Sequence, residues 1–284
     1  MTIKAERCRL VFRKLERDLD QLAAGQQAET VHRFRTSTRR LQTLIEELLP
    51  ERTRKQKKLL KVLRGIRRKA GKLRDLDVQI AALRSLKAPL EPRRTTQLLE
   101  ALIELRAEHE RKLRKTFTKR ATRAVRKQLK GMVKEIELRN SRDPLAAARE
   151  ILSRAMPPAR PVTEDTLHRC RLLVKRARYA AEFAPESAAT KQFIAEIKRL
   201  QDILGNWHDW LTLTHTATER LGSVNESPLV AVLHNMTGAK LRNAVAAIAA
   251  TPALQAGPKP VALAGSGQAG MKTARPTARK DAAA

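Results

Sequence analysis

The chain has 284 residues, and 59 Lys and Arg against 29 Asp and Glu side chains give it a formal charge of +30. Such a charge opposes compaction and indicates an anionic partner rather than a particular fold. No apolar run is long enough for a membrane span or a signal peptide, and two cysteines cannot build a disulfide framework. We therefore expect a cytoplasmic protein with no membrane partner.

Helical periodicity and few chain breakers predict an all-α structure up to residue 250. The first half is predicted to form helices at 3–23, 28–49, 53–87 and 92–139, the last with a break near Gly131. After a turn at 140–144, further helices are predicted at 144–155, 163–184, 187–221 and 229–250. Thr163 is a candidate N-cap, with Thr166 and Asp165 as rivals. Residues 251–284 have little to bury and are predicted to be a disordered Ala/Gly/Pro/Lys tail.

The positive charge is concentrated in the first half of the helical region. Residues 1–143 carry 40 basic and 18 acidic side chains, a net +22, whereas residues 144–251 carry 14 and 10, a net +4. The bias is therefore not a property of a basic tail.

An internal repeat relates the two halves. Val-His-Arg-Phe-Arg-Thr-Ser-Thr-Arg-Arg at 31–40 matches Leu-His-Arg-Cys-Arg-Leu-Leu-Val-Lys-Arg at 167–176, with the two histidines 136 residues apart. A Gly-x-x-x-Asp element follows each motif, at Gly71 and Asp75 and again at Gly205 and Asp209. The repeat predicts two homologous bundles of roughly four helices, 3–140 and 144–250, related by a pseudo-twofold axis.

Helical geometry gathers the cations of each motif into a stripe. In the first motif Arg35 and Arg39 lie within about 60° of His32, opposite Phe34 and Leu41. No acidic residue stands between Glu29 and Glu46, nor between 165 and 182 in the second motif. A solvated face normally mixes both signs of charge. This doubled row of Arg, Lys and His therefore indicates an extended polyanion, and phosphate suits the Arg fork.

Together the four motif segments resemble the CHAD family, the conserved-histidine α-helical domain, over residues 5–250. The resemblance implies two pseudo-symmetric antiparallel four-helix bundles with a basic central groove or pore. It also implies binding of inorganic polyphosphate, often at polyphosphate granules. Arg74 and Asp75 match the family's Arg-Asp-Leu-Asp element. The Glu-x-Glu strand of the CYTH triphosphatase domain that often accompanies the family is absent from the sequence, so no triphosphatase activity is carried over.

The stripes and the resemblance predict one set of polyphosphate-binding residues. Its members are His32, Arg35, Arg39, Arg40, Lys57, Lys61, Arg64, Arg68, Lys72, Arg74, His168, Arg171, Lys175, Arg176, Arg178, Tyr179 and Lys198. On the helix predicted at 53–87, an outer stripe of cations lies opposite the apolar residues Leu59, Val62, Leu63 and Ile66; its members are Lys57, Lys61, Arg64, Arg68 and Lys72. The matching outer stripe of the second half is largely neutralised; its members are Lys191, Ala195, Lys198, Asp202 and Asn206.

Other functions have weaker support in the sequence. His208 and His215 lie seven apart without a third ligand, so we predict no metal site and no cofactor. Cys170 is expected to be buried and inert. No catalytic motif is visible, and we predict a binding protein rather than an enzyme. Nonspecific nucleic-acid binding is the alternative, although few aromatic residues are available for base stacking.

Overall fold

A computed structural model describes residue 3 and residues 5–86, 91–135, 141–155 and 162–251, and in these residues the chain is all-α. The helices are α1 (Ala5–Ala24), α2 (Ala28–Thr43), α3 (Arg54–Arg84), α4 (Pro92–Arg114), α5 (Lys119–Glu135), α6 (Pro144–Ser153), α7 (Glu164–Ala181), α8 (Ala188–Leu221) and α9 (Pro228–Ala250). One π-helical turn, Leu44–Leu48, continues α2. The tail predicted to be disordered lies outside the described residues after residue 251.

Most of these helices begin at a side chain that accepts a hydrogen bond from a backbone N–H of the first turn. Thr53 and Gln56 form a reciprocal capping box at α3. The Asp143 carboxylate accepts from the Ala146 N–H at 2.7 Å at the start of α6. Thr163 accepts from the Thr166 N–H at 3.3 Å, which confirms the predicted cap of α7.

The prediction of one long helix over 92–139 was wrong. The chain leaves the helix after Arg114 and resumes at Lys119, whereas Gly131 lies within α5. At the interruption the Thr118 hydroxyl accepts from the Ala121 N–H at 3.1 Å, and this bond caps the new helix. An N-cap signal at Thr118 therefore outweighs the uninterrupted charge pattern around it.

The apolar face predicted for α2 is buried as expected. Phe34, Leu41 and Leu48 are fully buried in the main hydrophobic cluster. That cluster also contains Val174 and Trp207, so the two repeat halves share one core. On α3 the predicted apolar face was wrong at one position. Val62 is 36% exposed, although its neighbours in the pattern are buried.

A second, smaller core lies beyond the first. The C-terminal part of α3 and the helix α4 pack there against the C-terminal part of α8 and the helix α9, around Leu98, Leu102 and Leu213. The helix α2 packs on α3 and α7, and α8 also packs on α3 and α7. Among the described helices, none has the length and apolar character that crossing a membrane requires.

Candidate functional site

The two His/Arg motifs meet where α2, α3, α7 and α8 pack together. Their polar side chains come close enough to perturb one another's charge. We call this group the central cluster; it consists of His32, Arg35, Arg39, Arg67, Arg74, Asp75, His168, Arg171, Lys175, His208 and Asp209. Six members are Arg or Lys and two are carboxylic acids. The internal repeat thus places one cationic stripe against the other.

On α2, Arg35 is a largely buried cation of the first stripe. Its side chain is 20% exposed, and its guanidinium lies 3.8 Å from the Asp75 carboxylate of α3. The guanidinium also lies directly over Gly71, where a Cβ atom would overlap it. Burial, partly offset by Asp75, lowers the pKa of Arg35. The first Gly-x-x-x-Asp element therefore positions Arg35: Gly71 leaves room for the guanidinium, and Asp75 provides the opposite charge.

On α7, Lys175 is the most perturbed base of the second stripe. Burial first, and then the charges of Arg171 and Arg39, lower its pKa from 10.5 to about 7. The groups that face it are His168 and Arg171 of its own helix, His32, Arg35 and Arg39 of α2, and His208 and Asp209 of α8. Such an amine gains more from a bound anion than a solvated lysine does, because its own neighbours disfavour the charged form.

Arg171 has donor capacity left over. Burial is the main cause of its lowered pKa, and Asp209 offsets part of this effect. Its Nε hydrogen is buried and has no acceptor among the described residues. An unpaired buried donor is unfavourable and is stabilised when an acceptor binds to it.

Three histidines line the cluster, and each has a lowered pKa. The rings of His168 and His208 lie 5.2 Å apart, centroid to centroid. Burial and the nearby cations, Arg171 foremost, lower the pKa of His208 to about 3, so it stays neutral. Burial, followed by nearby cations, also lowers the pKa of His32 and His168. In the free protein the cluster therefore resists further positive charge.

Arg40 and Arg176 occupy equivalent places in the repeat and join its two halves. Arg40 of α2 donates from Nε to Glu182, which follows α7, at 2.6 Å. Arg176 of α7 lies 3.4 Å from Glu46 in the π-helical turn after α2. Both arginines and both glutamates are 136 positions apart, so the two ion pairs are copies of each other. Both arginines were predicted to bind phosphate, and both spend donors on this contact between the halves.

An arginine–glutamine pair also occurs in both halves, but the arginine and the glutamine swap positions between the two repeats. Arg67 of α3 donates to the Gln42 side chain of α2. In the second half, Arg178 replaces the glutamine on α7 and donates to Gln201 of α8 at 2.7 Å. Arg178 also lies 4.7 Å from the centre of the Tyr179 ring. Tyr179 is only 6% exposed and the Arg178 side chain 15% exposed, so both of these predicted site residues are largely buried.

The outer stripe predicted on α3 lies beside the central cluster. Arg67, Gly71 and Arg74 form the face toward α2, and helical geometry puts the predicted stripe about 100° away from Arg67. Arg64 pairs with the buried Glu46. The remaining predicted cations, which are exposed, are Lys57, Lys61, Arg68 and Lys72. On α8, Lys198 is exposed and lies 2.6 Å from Asp202.

Sequence reasoning missed Arg67 as a site residue and gave no ligand role to His208. Arg67, Gly71 and Arg74 are spaced by four and three residues, so they share a helical face. His208 stands 134 residues after Arg74, the offset that also relates the two Gly-x-x-x-Asp elements. Combining the spacing with the repeat would have found both residues.

The other candidate chemistries have little structural support. In the described part of the chain, no group of three His, Cys, Asp or Glu side chains is arranged to hold a metal ion. Cys170 is buried, as predicted. Burial raises the pKa of its thiol to about 12, so little of the reactive thiolate forms.

Comparisons with known proteins agree with the helical architecture. A family model for the CHAD domain matches residues 6–218. The crystal structure of the CHAD domain from the plant Ricinus communis is 18% identical with a TM-score of 0.60, covering 87% of this chain and 86% of that one. PptA from Streptomyces chartreusis is 17% identical with a TM-score of 0.61, covering 90% and 98% respectively. No curated protein sequence matches. Since the family model spans well over half of the sequence, the chain belongs to the CHAD-domain family.

Proposed function

We propose that the protein binds inorganic polyphosphate at the central cluster. One observation carries the proposal: six Arg and Lys side chains from three helices converge, with Asp75 and Asp209 as the facing carboxylates. Bringing partly buried like charges together is unfavourable until an anion neutralises them. A polymer with a negative charge on every unit neutralises several at once, whereas a single small anion reaches only a few.

Phosphate fits the donors of the cluster. Guanidinium groups present paired N–H donors to phosphate oxygens, and Lys175 adds a point charge. The unused Nε–H of Arg171 is available as one such donor. A bound phosphate would also favour protonation of His32 and His168, adding donors as the polymer binds. This is binding chemistry and requires no catalytic group, and association with polyphosphate granules in the cytoplasm follows as part of the same proposal.

Nonspecific nucleic-acid binding is disfavoured at this site because base stacking needs exposed aromatic rings. Apart from the half-buried Phe117, the tryptophans, the tyrosine and the phenylalanines of the described chain are buried. Exposed cations elsewhere will still give a salt-sensitive background affinity for DNA. The specific site should therefore prefer polyphosphate at physiological salt.

A competition titration tests the proposal. Labelled long-chain polyphosphate is bound at physiological salt, and unlabelled polyphosphate or duplex DNA is added at equal phosphate concentration. We expect polyphosphate to displace the label at a much lower concentration. Equal displacement by DNA would contradict a dedicated polyphosphate site.

A pair of charge-matched variants locates the site. Arg39→Gln with Arg171→Gln removes two cluster cations, and Lys57→Gln with Lys61→Gln removes two exposed ones. At about 1.5–3 kcal/mol for each charged hydrogen bond, the first pair should weaken binding by about a hundredfold or more. The second pair should change it only a few-fold. Equal losses would mean that bulk charge, and not the cluster, binds the polymer.

A further inference from the structure

Lys175 is an amine placed among groups that bind phosphate. It lies one helical turn after Arg171, and Arg35 and Arg39 of α2 face it across the helix packing. Its side chain remains partly exposed, so small molecules can reach it. Asp209 of α8 also faces it. A small phosphate-bearing reagent that binds to these arginines is therefore held next to the lysine nitrogen.

The amine is also in its reactive form. Only the neutral form of a lysine is a nucleophile, and an ordinary exposed lysine is almost wholly protonated at neutral pH. Burial, followed by the charges of Arg171 and Arg39, brings the pKa of Lys175 to about 7. About half of its molecules therefore carry the free amine near pH 7.

We propose that Lys175 is a site of acylation by acyl phosphates, with the arginines of the central cluster holding the phosphate group. The lysine nitrogen attacks the acyl carbon and forms an amide bond. The bond between that carbon and the phosphate oxygen breaks, and the proton lost by nitrogen leaves with the phosphate. The reaction is a group transfer without oxidation or reduction, and acetyl phosphate is the simplest reagent of this class.

Acylation would act on the same surface that binds the polymer. An amide nitrogen cannot take up a proton, so the acylated side chain no longer contributes a positive charge. Loss of polyphosphate affinity after acylation rests on the proposed function, whereas the modification itself does not. The two can therefore fail separately.

Two acetylating reagents separate the proposed phosphate binding from simple amine reactivity. The full-length protein is treated near pH 7 with acetyl phosphate, or with the N-hydroxysuccinimide ester of acetic acid, which has no phosphate. Mass spectrometry then gives a rate for each lysine. With acetyl phosphate, Lys175 should react at least about tenfold faster than the exposed Lys57, Lys61 and Lys198, given its larger neutral fraction. Its lead should shrink with the ester.

The ratio of the two rates at Lys175 isolates the contribution of the arginines. Arg171→Gln should lower this ratio towards the value for exposed lysines, because the ratio cancels changes in the amine's own reactivity. Tripolyphosphate should protect Lys175 from acetyl phosphate. The proposal is overturned if exposed lysines react as fast as Lys175. It is equally overturned if Lys175 leads by the same margin with both reagents, since the phosphate then contributes nothing.

Discussion

The contact between Arg35 and Gly71 gives the sharpest test of the site, because alanine at position 71 would move a guanidinium without removing it. An added Cβ would overlap the Arg35 terminus, which is the end of a flexible side chain and can move away. Gly205, at the matching place in the repeat, has open space around the same position. Gly71→Ala and Gly205→Ala are therefore a matched pair that differs in the effect on one arginine.

The expected magnitudes for stability and binding have opposite signs. Alanine is favoured over glycine inside a helix by about 1 kcal/mol, so Gly205→Ala should raise the melting temperature by about 2–4 °C. Gly71→Ala should gain a similar helix stabilisation. It should also lose the 3.8 Å contact between Arg35 and Asp75, which contributes about 0–1 kcal/mol because the aspartate is half-exposed. Losing one charged hydrogen bond to phosphate costs about 1.5–3 kcal/mol, or roughly ten- to a hundredfold in Kd.

Thermal denaturation and polyphosphate titration of both variants supply the measurements. We expect the melting temperature of Gly71→Ala to fall by a degree or two at most. The same variant should bind polyphosphate at least about tenfold more weakly. Gly205→Ala should bind normally. If both variants bind with unchanged affinity, Arg35 in its present position does not contact the polymer. If both lose affinity equally, a change in helix rigidity, and not a displacement of Arg35, is responsible.

Three further predictions follow from the charges. A bound polyanion raises the lowered pKa of Lys175, so binding takes up a proton and affinity should fall as pH rises above about 7, by at most about tenfold per unit. Lys175→Arg should abolish this fall in pH titrations, whereas any further rise in affinity as the pH falls below 7 should instead need His32 and His168, whose lowered pKa values a bound anion raises. Arg40→Ala should lower the free energy of unfolding in urea by about 1–3 kcal/mol, because the pair with Glu182 is mostly buried, and its repeat equivalent Arg176→Ala, at 41% exposure, should lower it less. Finally, the salt dependence of binding should flatten more when Lys61, Arg64 and Arg68 are changed together to alanine than when Lys191, Lys198 and Arg199 are. An unchanged slope in the first variant would place the polymer away from the exposed cations of α3.

The stripe on α2 could be predicted because the sequence pattern allows only one assignment of its apolar and polar faces. Its apolar residues recur at helical spacing, and no acidic residue stands between Glu29 and Glu46 to compete for the opposite face. The same argument applies to α7. That the two stripes face each other is a property of helix packing, however, and only the resemblance to a known family suggested a shared groove.

The face of α3 could not be assigned in the same way. Cations occur on most sides of this helix outside its apolar stripe, including Lys61, Arg67, Lys69 and Arg74. Periodicity groups them into stripes but does not say which stripe meets α2. Packing against α2, α4, α5 and α8 decides that, and it brings Arg67 inward while Lys61 stays in solvent. Long-range ion pairs such as Arg40 with Glu182 are likewise invisible in a sequence read helix by helix.

The unequal charge of the halves separates what the fold needs from what the site needs. The second half lacks most of the exposed cations of the first, since its outer stripe contains Ala195 and the Lys198–Asp202 pair. It nevertheless supplies Arg171 and Lys175 to the cluster and Arg176 to the contact between the halves. Because each stripe faces the other and the two ion pairs cross between the halves, neither repeat can form the cluster alone. Under the proposed function, the excess charge of the first half attracts polyanions from a distance, whereas the convergent cations of both halves decide which polyanion stays bound.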